Sequence, residues 1–498
     1  MRERIIILGL FLVMVWPLET WAGSFGKDDP SGVPGQWYVG EDPAEIDDSK
    51  TPIVFIHGLN SSSATWWNEN DMYETAYTNG YQTAFIDLYP DKNMWSNGEM
   101  LAEKLGEIYE HFGKKVVLAA HSKGGVDAQT ALIYFDADEY VERMITLSSP
   151  HHGSELADLA HSEGASWLAD IIGNKNEATQ SLQTGYMAYF RDMTDREHGI
   201  ENTPMYTFGG TGWGPMWGSL FWGGLYLSQY GSNDGAVTVS SSRLPYAEEI
   251  MIDDWTHYTI KEGNATFNLF QPYLQASSFS SNVQMESLSP HTAATFHSGG
   301  KFKRQKTETF HIEENVESVT IQWTSSSPTS DLTLFSPKGK QFDQFHTSRD
   351  QSSYFHGAYN HTMAIEKPLH GLWRIQAHTA DTEAYLLNVH FQSDINENIN
   401  LKVNGKNNPQ VRLHTGKDTV ENVRTTLTLG HESFKKPDKV KSSSRDMAAD
   451  RTIFLKGLEQ GLYNITAQVR GETQKGNKFN RSIVRTIYID DKGNVYKR

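Results

Sequence analysis

The stretch KKVVLAAHSKGGVDAQTALIYF, residues 114–135, contains the corner on which the fold prediction depends. A run of apolar β-forming residues leads into a turn of small residues, and a helical pattern follows the turn. Ser122 lies at the corner. A serine in such a tight turn needs small residues two positions before and after it, which Ala120 and Gly124 provide, and Gly125 lets the helix pack on the strand. On this stretch alone, Ser122 is either a nucleophile or an ordinary polar residue at the end of a strand.

Length and composition indicate several domains and limit the partners. A chain of 498 residues exceeds one ordinary core, so two or three domains are expected, and 38% hydrophobic residues suffice to fill them. The 44 basic residues stand against 61 acidic ones, a formal charge of −17. Bulk charge therefore disfavours nucleic acid and anionic membranes as partners, although a local basic patch is not excluded.

The N-terminal segment MRERIIILGLFLVMVWPLETWAG has the pattern of a secretory signal peptide. Two arginines precede an apolar run, and Thr20-Trp21-Ala22 is a small-x-small cleavage site. The alternative is a membrane anchor, but the run from Ile5 to Trp16 is shorter than the ~20 residues of a spanning helix. The chain has no cysteine, hence no disulfide and no lipid-modified cysteine. We therefore expect this chain to be a bacterial protein that loses residues 1–22 and is secreted to the extracellular space, without a transmembrane anchor.

Residues 23–276 alternate strand-like and helix-like runs, which predicts an α/β fold with a mostly parallel sheet. The runs at 51–59 and 81–88 are apolar strands, and residues 98–113 form an amphipathic helix closed by a glycine. Further strands are expected around 204–210 and 247–254, after a helical region at 155–194. A closing helix is expected over residues 264–276.

The pattern changes to short alternating strands after residue 276, which predicts all-β domains. We expect a jelly-roll-like β-sandwich over residues 277–395 and an immunoglobulin-like sandwich over residues 396–498. The polar and charged segment at 432–450 is expected to be a mobile loop.

A serine at a strand-to-helix corner is typical of the nucleophile elbow of the α/β-hydrolase fold. The turn FIHGLNSSS, residues 55–63, follows the first confident strand and can direct a backbone N–H towards Ser122. Leu59 and Lys123 would then supply the two N–H donors of an oxyanion hole. We expect His57 to stabilise this turn rather than to act as a base. We expect the Lys123 side chain to point outward from the helix, which disfavours a Ser-Lys dyad.

A serine nucleophile needs a base oriented by a carboxylate, and hydrolases of this fold present them in the order Ser, Asp, His. Asp234 lies in the turn of YGSNDGAVTVSSSRLP, and His257 follows the last predicted strand in MIDDWTHYTI. Taken alone, Asp234 could be an ordinary turn residue and His257 an ordinary solvated histidine. Asp253 and Asp254 are the competing acids. His151 and His152 more naturally brace the loop after the preceding strand.

Five motifs in order, FIHGLN, AAHSKGGVDA, TLSSPHHGSELADL, GSNDGAVTVSS and WTH, resemble the secreted bacterial true lipases of the α/β-hydrolase superfamily. The resemblance covers residues 51–276. It implies Ser122 as nucleophile, His257 as base and Asp234 as its partner, with Leu59 and Lys123 as oxyanion donors. Some lipases of this group bind calcium or zinc, but neither ligand set matches this chain, so a structural calcium stays unassigned and the metal is unknown.

An aromatic and glycine-rich segment, TGWGPMWGSLFWGGLYLSQYG, precedes Asp234. It suggests an apolar wall or flap over an acyl pocket, the alternative being a packed excursion of the core. The candidate substrate-binding residues are Trp213, Trp217, Phe221 and Trp222. Residues 165–173 and 186–193 could form a helical lid on the other side.

Together these features predict a secreted serine carboxylic ester hydrolase that cleaves lipid esters through an acyl-enzyme and needs no cofactor. A polyester depolymerase, of the kind that degrades polyhydroxyalkanoate, is the nearest alternative. A surface-binding protein with a degenerate hydrolase domain is the alternative from another class. The residues after 276 would attach the enzyme to its substrate, stabilise it, or present the substrate.

Overall fold

The N-terminal half of the chain is built around one seven-stranded sheet. The structure is a computed structural model that describes residues 32–171, 175–218, 220–275, 293–328, 331–350, 354–416, 419–433, 436–448 and 451–498. The strands of this first sheet are β1 (Trp37–Val39), β2 (Ile53–Ile56), β3 (Thr83–Ile86), β4 (Val116–His121), β5 (Val141–Leu147), β6 (Met205–Gly210) and β7 (Glu248–Asp253). Their order is β1-β3-β2-β4-β5-β6-β7, with only β1 antiparallel to its neighbour among these strands.

Helices cover both faces of this sheet. They are α1 (Met72–Thr78), α2 (Met94–Phe112), α3 (Lys123–Tyr134), α4 (Glu155–Ala160), α5 (Ser166–Ile171), α6 (Glu177–Ser181), α7 (Thr184–Thr194), α8 (Phe221–Leu227), α9 (Val239–Ser242) and α10 (Asn268–Phe270). Every residue of β2, β3 and β4 is buried, as expected for parallel strands covered on both faces. Asn93 caps α2 by accepting hydrogen bonds from two N–H groups, and Gly113 ends it in the left-handed conformation.

The predicted closing helix over residues 264–276 differs from the structure. The region contains short turns of 3-10 and π helix around α10, with Pro272 in the second position of the last turn. A proline within a helical segment lacks the N–H that a regular α-helix needs, so a long helix does not form. Residue 276 itself lies outside the described residues.

The C-terminal half is entirely antiparallel in its strand pairing among the described residues. A second seven-stranded sheet contains β8 (Thr295–Ile312), β9 (Ser318–Ser325), β10 (Asp331–Phe335), β11 (Gln341–Phe342), β12 (His346–Arg349), β13 (Tyr359–Glu366) and β14 (Gly371–Gln392). Two further sheets are formed by β15 (Ile399–Asn404), β16 (Gln410–Thr415), β17 (Val420–Ser433), β18 (Lys436–Ala448), β19 (Thr452–Phe454), β20 (Gly461–Thr473), β21 (Lys478–Ile489) and β22 (Val495–Tyr496). The predicted all-β character is confirmed, whereas the domain limits at 276/277 and 395/396 stay predictions.

The mobile loop predicted at 432–450 is wrong, because most of the segment is β18. This strand pairs with β17 over a long antiparallel register that includes Thr428 with Ser444 and Leu427 with Arg445. It forms the edge of its sheet. An edge strand needs only one partner for its backbone, and charged residues on it discourage pairing with other chains. The polar composition therefore marks an edge strand and not a loop.

The helical region from α4 to α7 packs directly against the C-terminal sheets. One apolar cluster includes Leu156 and Met187 from this region together with Leu386 and Val484 from β14 and β21. Gly185 lies so close to β21 that an added Cβ would stand 2.7 Å from the Ile487 backbone. The two halves therefore share a core at this point.

Buried charged residues anchor the same interface. Glu432, which is 3% exposed, lies 2.9 Å from His161 Nδ1 and 3.3 Å from Lys175 Nζ. Burial acts to raise the pKa of Glu432, but His161 and Lys175 outweigh it and lower the pKa to about 2. Asp158 accepts hydrogen bonds from the Thr184 N–H at 2.8 Å and the Thr486 hydroxyl at 2.9 Å. Burial nevertheless raises the pKa of Asp158 to about 6.

No helix within the described residues has the length and hydropathy to span a bilayer. The predicted signal peptide, residues 1–22, lies outside the described residues.

Candidate active site

Ser122 stands between β4 and α3 in a strained backbone conformation. Its φ is 54° and its ψ is −132°, a region that non-glycine residues rarely occupy. A Cβ at Gly124 would stand 2.3 Å from the His57 carbonyl oxygen, and a Cβ at Gly125 would stand 2.1 Å from Ser149 Oγ. Glycine at both positions lets α3 start close under the sheet, which holds the serine at the tip of a sharp corner.

The turn after β2 lies directly against this corner. A Cβ at Gly58 would stand 2.7 Å from the Ser122 Cβ, so only glycine fits there without displacement. His57 holds the turn from within: its Nδ1–H donates to the Gly58 carbonyl, and its Nε2 accepts from the Leu88 N–H, each at 2.9 Å. The Asn60 N–H donates to the Pro90 carbonyl at 3.1 Å. His57 thus braces the turn, as expected.

The two predicted oxyanion donors flank the corner. Leu59 follows Gly58 in the turn, and Lys123 is the first residue of α3. Within the part of the chain that the structure describes, neither N–H donates to a backbone oxygen. Both donors are therefore unengaged by the backbone beside the serine.

Ser122, His257 and Asp234 form a continuous hydrogen-bonded relay. The Ser122 hydroxyl lies 3.0 Å from His257 Nε2, and His257 Nδ1 lies 2.7 Å from Asp234 Oδ2. The three side chains come from three loops at the carboxyl ends of strands and are 5%, 1% and 0% exposed, respectively. The structure thus brings together the three residues that the sequence order selected.

Asp234 is fixed by its own turn. Its Oδ1 accepts hydrogen bonds from the N–H groups of Ala236 and Val237 at 2.9 and 2.7 Å. Its carbonyl also accepts from the His257 N–H at 2.9 Å, which joins the acid loop to the histidine loop. The competing acid Asp253 ends β7, Asp254 follows it, and both are exposed. Among the described residues, no hydrogen bond joins either side chain to His257.

His121 is a site residue that the sequence analysis did not identify. Its Nε2–H donates to the His257 carbonyl at 2.8 Å, and the two rings lie 4.7 Å apart. Burial, followed by the nearby His257, holds the pKa of His121 well below its ordinary value, so the ring is neutral. It therefore positions the histidine loop through one hydrogen bond. Its place directly before the serine is the only sequence signal that could have indicated this role.

The expected outward orientation of the Lys123 side chain is wrong. The residue is 1% exposed, and its Nζ lies 2.6 and 2.8 Å from the two carboxylate oxygens of Asp127, one helical turn later. Asp127 also accepts from the Asn97 amide at 2.9 Å. Burial lowers the pKa of Lys123 and raises that of Asp127. The i,i+4 spacing allows the pair to form, so the ammonium is engaged by the Asp127 carboxylate.

His151 and His152 brace a neighbouring loop, as expected. The His152 N–H donates to the Ser241 carbonyl at 3.2 Å, and His151 Nε2 lies 3.4 Å from the Thr146 hydroxyl. Burial lowers the pKa of both rings, that of His152 to about 3. They are neutral supports and lie outside the relay.

The aromatic segment before Asp234 forms a packed wall. Trp213 donates from Nε1 to the Asn233 carbonyl at 3.0 Å, so the wall is tied to the residue before the acid. Phe221 contacts both Trp213 and Trp217, with ring centroids 6.4 and 5.1 Å apart. Trp222 is 4% exposed, and its Nε1–H donates to Asp350 of the C-terminal half. The last contact was not foreseen from the sequence.

The two predicted lid segments do not form a free lid in this structure. Helix α5 contacts β8 and β14, and α7 contacts β21. Tyr186 and Tyr189 on α7 pack on Tyr488 of β21 at centroid distances of 5.2 and 4.6 Å. Residues 172 and 173 of the first segment lie outside the described residues.

No group of three or more His, Asp or Glu side chains is placed to hold a metal ion in the residues that the structure describes. Glu262, the acidic residue nearest after His257 in the sequence, accordingly belongs to no metal-binding cluster within the described part of the chain. A structural calcium stays unassigned.

Comparisons with known proteins place the chain in a family. The family of the PGAP1-like alpha/beta domain matches residues 47–164. The crystal structure of the Bacillus licheniformis lipase BlEst2 in its propeptide form is 39% identical, with a TM-score of 0.84, and the match covers 94% of this chain and 100% of that chain. The chain therefore belongs to the same family of α/β-hydrolases as this Bacillus licheniformis lipase.

Two further proteins are similar to parts of this lipase-family chain. The mature form of the same Bacillus licheniformis lipase is 54% identical over 49% of this chain and 100% of that chain, with a TM-score of 0.48. Triacylglycerol lipase 2 of Saccharomyces cerevisiae is 30% identical over 141 residues, 25% of this chain. That match spans 40% of the yeast protein's length. The predictions of an α/β-hydrolase fold followed by β sheets, and of a carboxylic ester hydrolase by family, are confirmed.

Proposed function

We propose that this lipase-family protein is a secreted serine hydrolase that cleaves carboxylic esters with apolar acyl groups. The observation that carries the proposal is the Ser122–His257–Asp234 relay, with hydrogen bonds of 3.0 and 2.7 Å, at a strained corner beside two available N–H groups. The Bacillus licheniformis and yeast relatives, which are named as lipases, support it.

The geometry supports a two-step acyl transfer. His257 Nε2 takes the proton of Ser122 as Oγ attacks the ester carbonyl, and Nδ1–H stays bonded to Asp234, which stabilises the imidazolium. The N–H groups of Leu59 and Lys123 stabilise the oxyanion of the tetrahedral intermediate. His257 returns the proton to the leaving alcohol, and then activates water against the acyl-enzyme to release the acid. No step in this scheme calls for a cofactor.

The apolar surroundings favour lipid esters as substrates. The aromatic wall of Trp213, Trp217, Phe221 and Trp222 stands beside the acid loop, and Leu59 presents an apolar side chain at the oxyanion turn. Such a lining favours acyl chains over sugar or nucleotide esters. Secretion is supported by the signal-peptide pattern of residues 1–22.

A series of p-nitrophenyl esters from acetate to decanoate tests this function. We expect hydrolysis by the full-length chain, assayed before and after limited proteolysis because the Bacillus licheniformis relative is described in a propeptide form. Ser122→Ala should lower kcat by about 10⁴-fold or more, whereas Ser228→Ala, a control at an exposed serine, should leave it unchanged. Hydrolysis that persists in Ser122→Ala would refute the site, and an inactive wild type in both states would refute the enzyme. A strong preference for an insoluble polyester over lipid esters would favour the depolymerase.

A further inference from the structure

Residues of the second sheet reach across to the aromatic wall. The Trp222 Nε1–H donates to the Asp350 carboxylate, which directly follows β12. The Phe355 ring meets Trp222 edge-on at a centroid distance of 5.0 Å, and His346 lies 6.5 Å from the Trp217 ring. Two of the four residues expected to contact substrate are therefore covered by the chain's own C-terminal half.

Tyr354 lies near the proposed triad acid. It is 2% exposed, and burial raises the pKa of its phenol, against a hydrogen bond with Ser154 that lowers it. The Ser154 hydroxyl in turn donates to the Ala236 carbonyl at 3.0 Å, and the Ala236 N–H binds Asp234 Oδ1 at 2.9 Å. Tyr354 thus lies within two further hydrogen bonds of the proposed triad acid.

The inserted residues belong to the same apolar cluster as the oxyanion turn. From the hydrolase half the cluster includes Leu59, Leu156, Trp222 and Tyr226, which we call the acyl cleft. From residues 354–358, which we call the insert, it includes Tyr354, Phe355 and Ala358. An acyl chain whose carbonyl oxygen binds the Leu59 N–H would start beside the Leu59 side chain, which belongs to the same apolar cluster as the insert.

Backbone and side-chain bonds hold the insert in a fixed position. Asp350 is 0% exposed, donates from its N–H to the Ala358 carbonyl at 2.7 Å, and accepts the Gly357 N–H at 2.9 Å. Its carboxylate also accepts from the Asn360 amide at 2.8 Å. Burial, then the charges of Asp350 and Asp234, raise the pKa of Tyr258, so Asp350 is within electrostatic reach of the residue after His257. The buried carboxylate thus accepts from Asn360 and Trp222 while the Asp350 backbone binds Gly357 and Ala358, which makes Asp350 an anchor and not a surface contact.

We infer that the acyl cleft is the binding site for the fatty acyl chain and that the insert occupies it, so the full-length chain excludes long acyl groups. The inference rests on the proposed ester hydrolase function. Short acyl groups need only Ser122 and the oxyanion turn, and are excluded less. Separation of the C-terminal half, or movement of the insert, opens the cleft.

The test compares p-nitrophenyl decanoate with p-nitrophenyl acetate as substrates of the uncleaved full-length chain. In the double variant Tyr354→Ser/Phe355→Ser, the ratio of decanoate to acetate kcat/KM should rise about tenfold or more. Leu372→Ser removes an apolar side chain that is 49% exposed on β14 and serves as the matched control, with an unchanged ratio. Asp350→Asn keeps the shape of the side chain but weakens the anchor, and should raise the same ratio by a smaller factor. This variant keeps the inference testable if the double variant fails to fold.

The outcomes separate the inference from the function on which it rests. An unchanged ratio in folded Tyr354→Ser/Phe355→Ser and in Asp350→Asn, with acetate still hydrolysed, overturns the insert as occupant of the acyl cleft. A ratio that rises equally in Leu372→Ser also overturns it, because loosening of the sheet alone would then be sufficient. Absence of hydrolysis of either ester in every variant, before and after limited proteolysis, contradicts the proposed function itself.

Discussion

Replacing Gly58 with alanine isolates the contribution of the oxyanion turn. The new Cβ would stand 2.7 Å from the Ser122 Cβ and 3.2 Å from the His121 carbonyl, where ordinary contact begins at 3.4 Å. The turn must therefore retreat by about 0.7 Å, and the Leu59 N–H moves with it. Loss of one oxyanion donor costs about 10²–10³ in kcat, or about 2.7–4 kcal/mol. KM should change much less, because an oxyanion donor acts mainly on the charge that develops in the transition state.

The assay is steady-state hydrolysis of p-nitrophenyl acetate by wild type, Gly58→Ala and Gly106→Ala, with the Tm of each. Gly106 is a suitable control because a Cβ there meets Tyr140 at an ordinary 3.5 Å, and alanine favours the middle of α2. Gly106→Ala should keep wild-type kcat with an equal or higher Tm. A Gly58→Ala enzyme that folds and keeps kcat within about threefold of wild type would refute the assignment of this turn to the oxyanion hole.

Three further predictions concern buried charges. Because burial raises the pKa of Asp158 to about 6 while the unfolded group keeps its ordinary value, its stabilisation is present below about pH 4 and is lost as pH rises through 6. Asp158→Asn should thus raise the Tm of the full chain at pH 8 and leave it unchanged at pH 4. For Glu432, whose pKa is lowered to about 2, the pH dependence of stability is opposite: its stabilisation is present above about pH 4.5 and is lost as pH falls towards 2. Glu432→Gln should therefore lower the Tm at pH 7 but not at pH 2. Asp127→Asn should lower the free energy of unfolding, measured with urea, by about 3–5 kcal/mol, and Lys123→Met/Asp127→Leu should recover most of this loss. Equal stability of the single and the double variant would contradict the buried ion pair.

The relay was predictable from the sequence because each part has a local physical requirement. The small residues around Ser122 indicate that the corner has no room for larger side chains. The glycines at 58 and 124 indicate that the oxyanion turn lies close to this corner. Asp234 and His257 were selected by chain order and by their positions after strands. Their catalytic roles stay proposals, as do secretion and the signal peptide.

Other features lay beyond local patterns. The Lys123 side chain is buried because Asp127 follows at i+4, a signal that was present in the sequence but depends on which face of α3 is covered. The contact between Trp222 and Asp350 joins residues 128 positions apart, and the hydrophobic periodicity of a sequence cannot predict such a long-range contact. The edge strand β18 was missed because its sequence is mostly polar, with residues 442–446 all exposed, and gives no apolar alternation.

The conformation of Ser122 also bears on how this protein can evolve. A non-glycine residue at φ 54°, ψ −132° costs about 1–3 kcal/mol of folding free energy. Glycine at position 122 would relieve that cost, so the fold would be more stable without the residue that the proposed chemistry requires. Selection for thermal stability alone would therefore favour glycine here, and the rest of the sheet and helix α3 must supply the stability that offsets the strained serine.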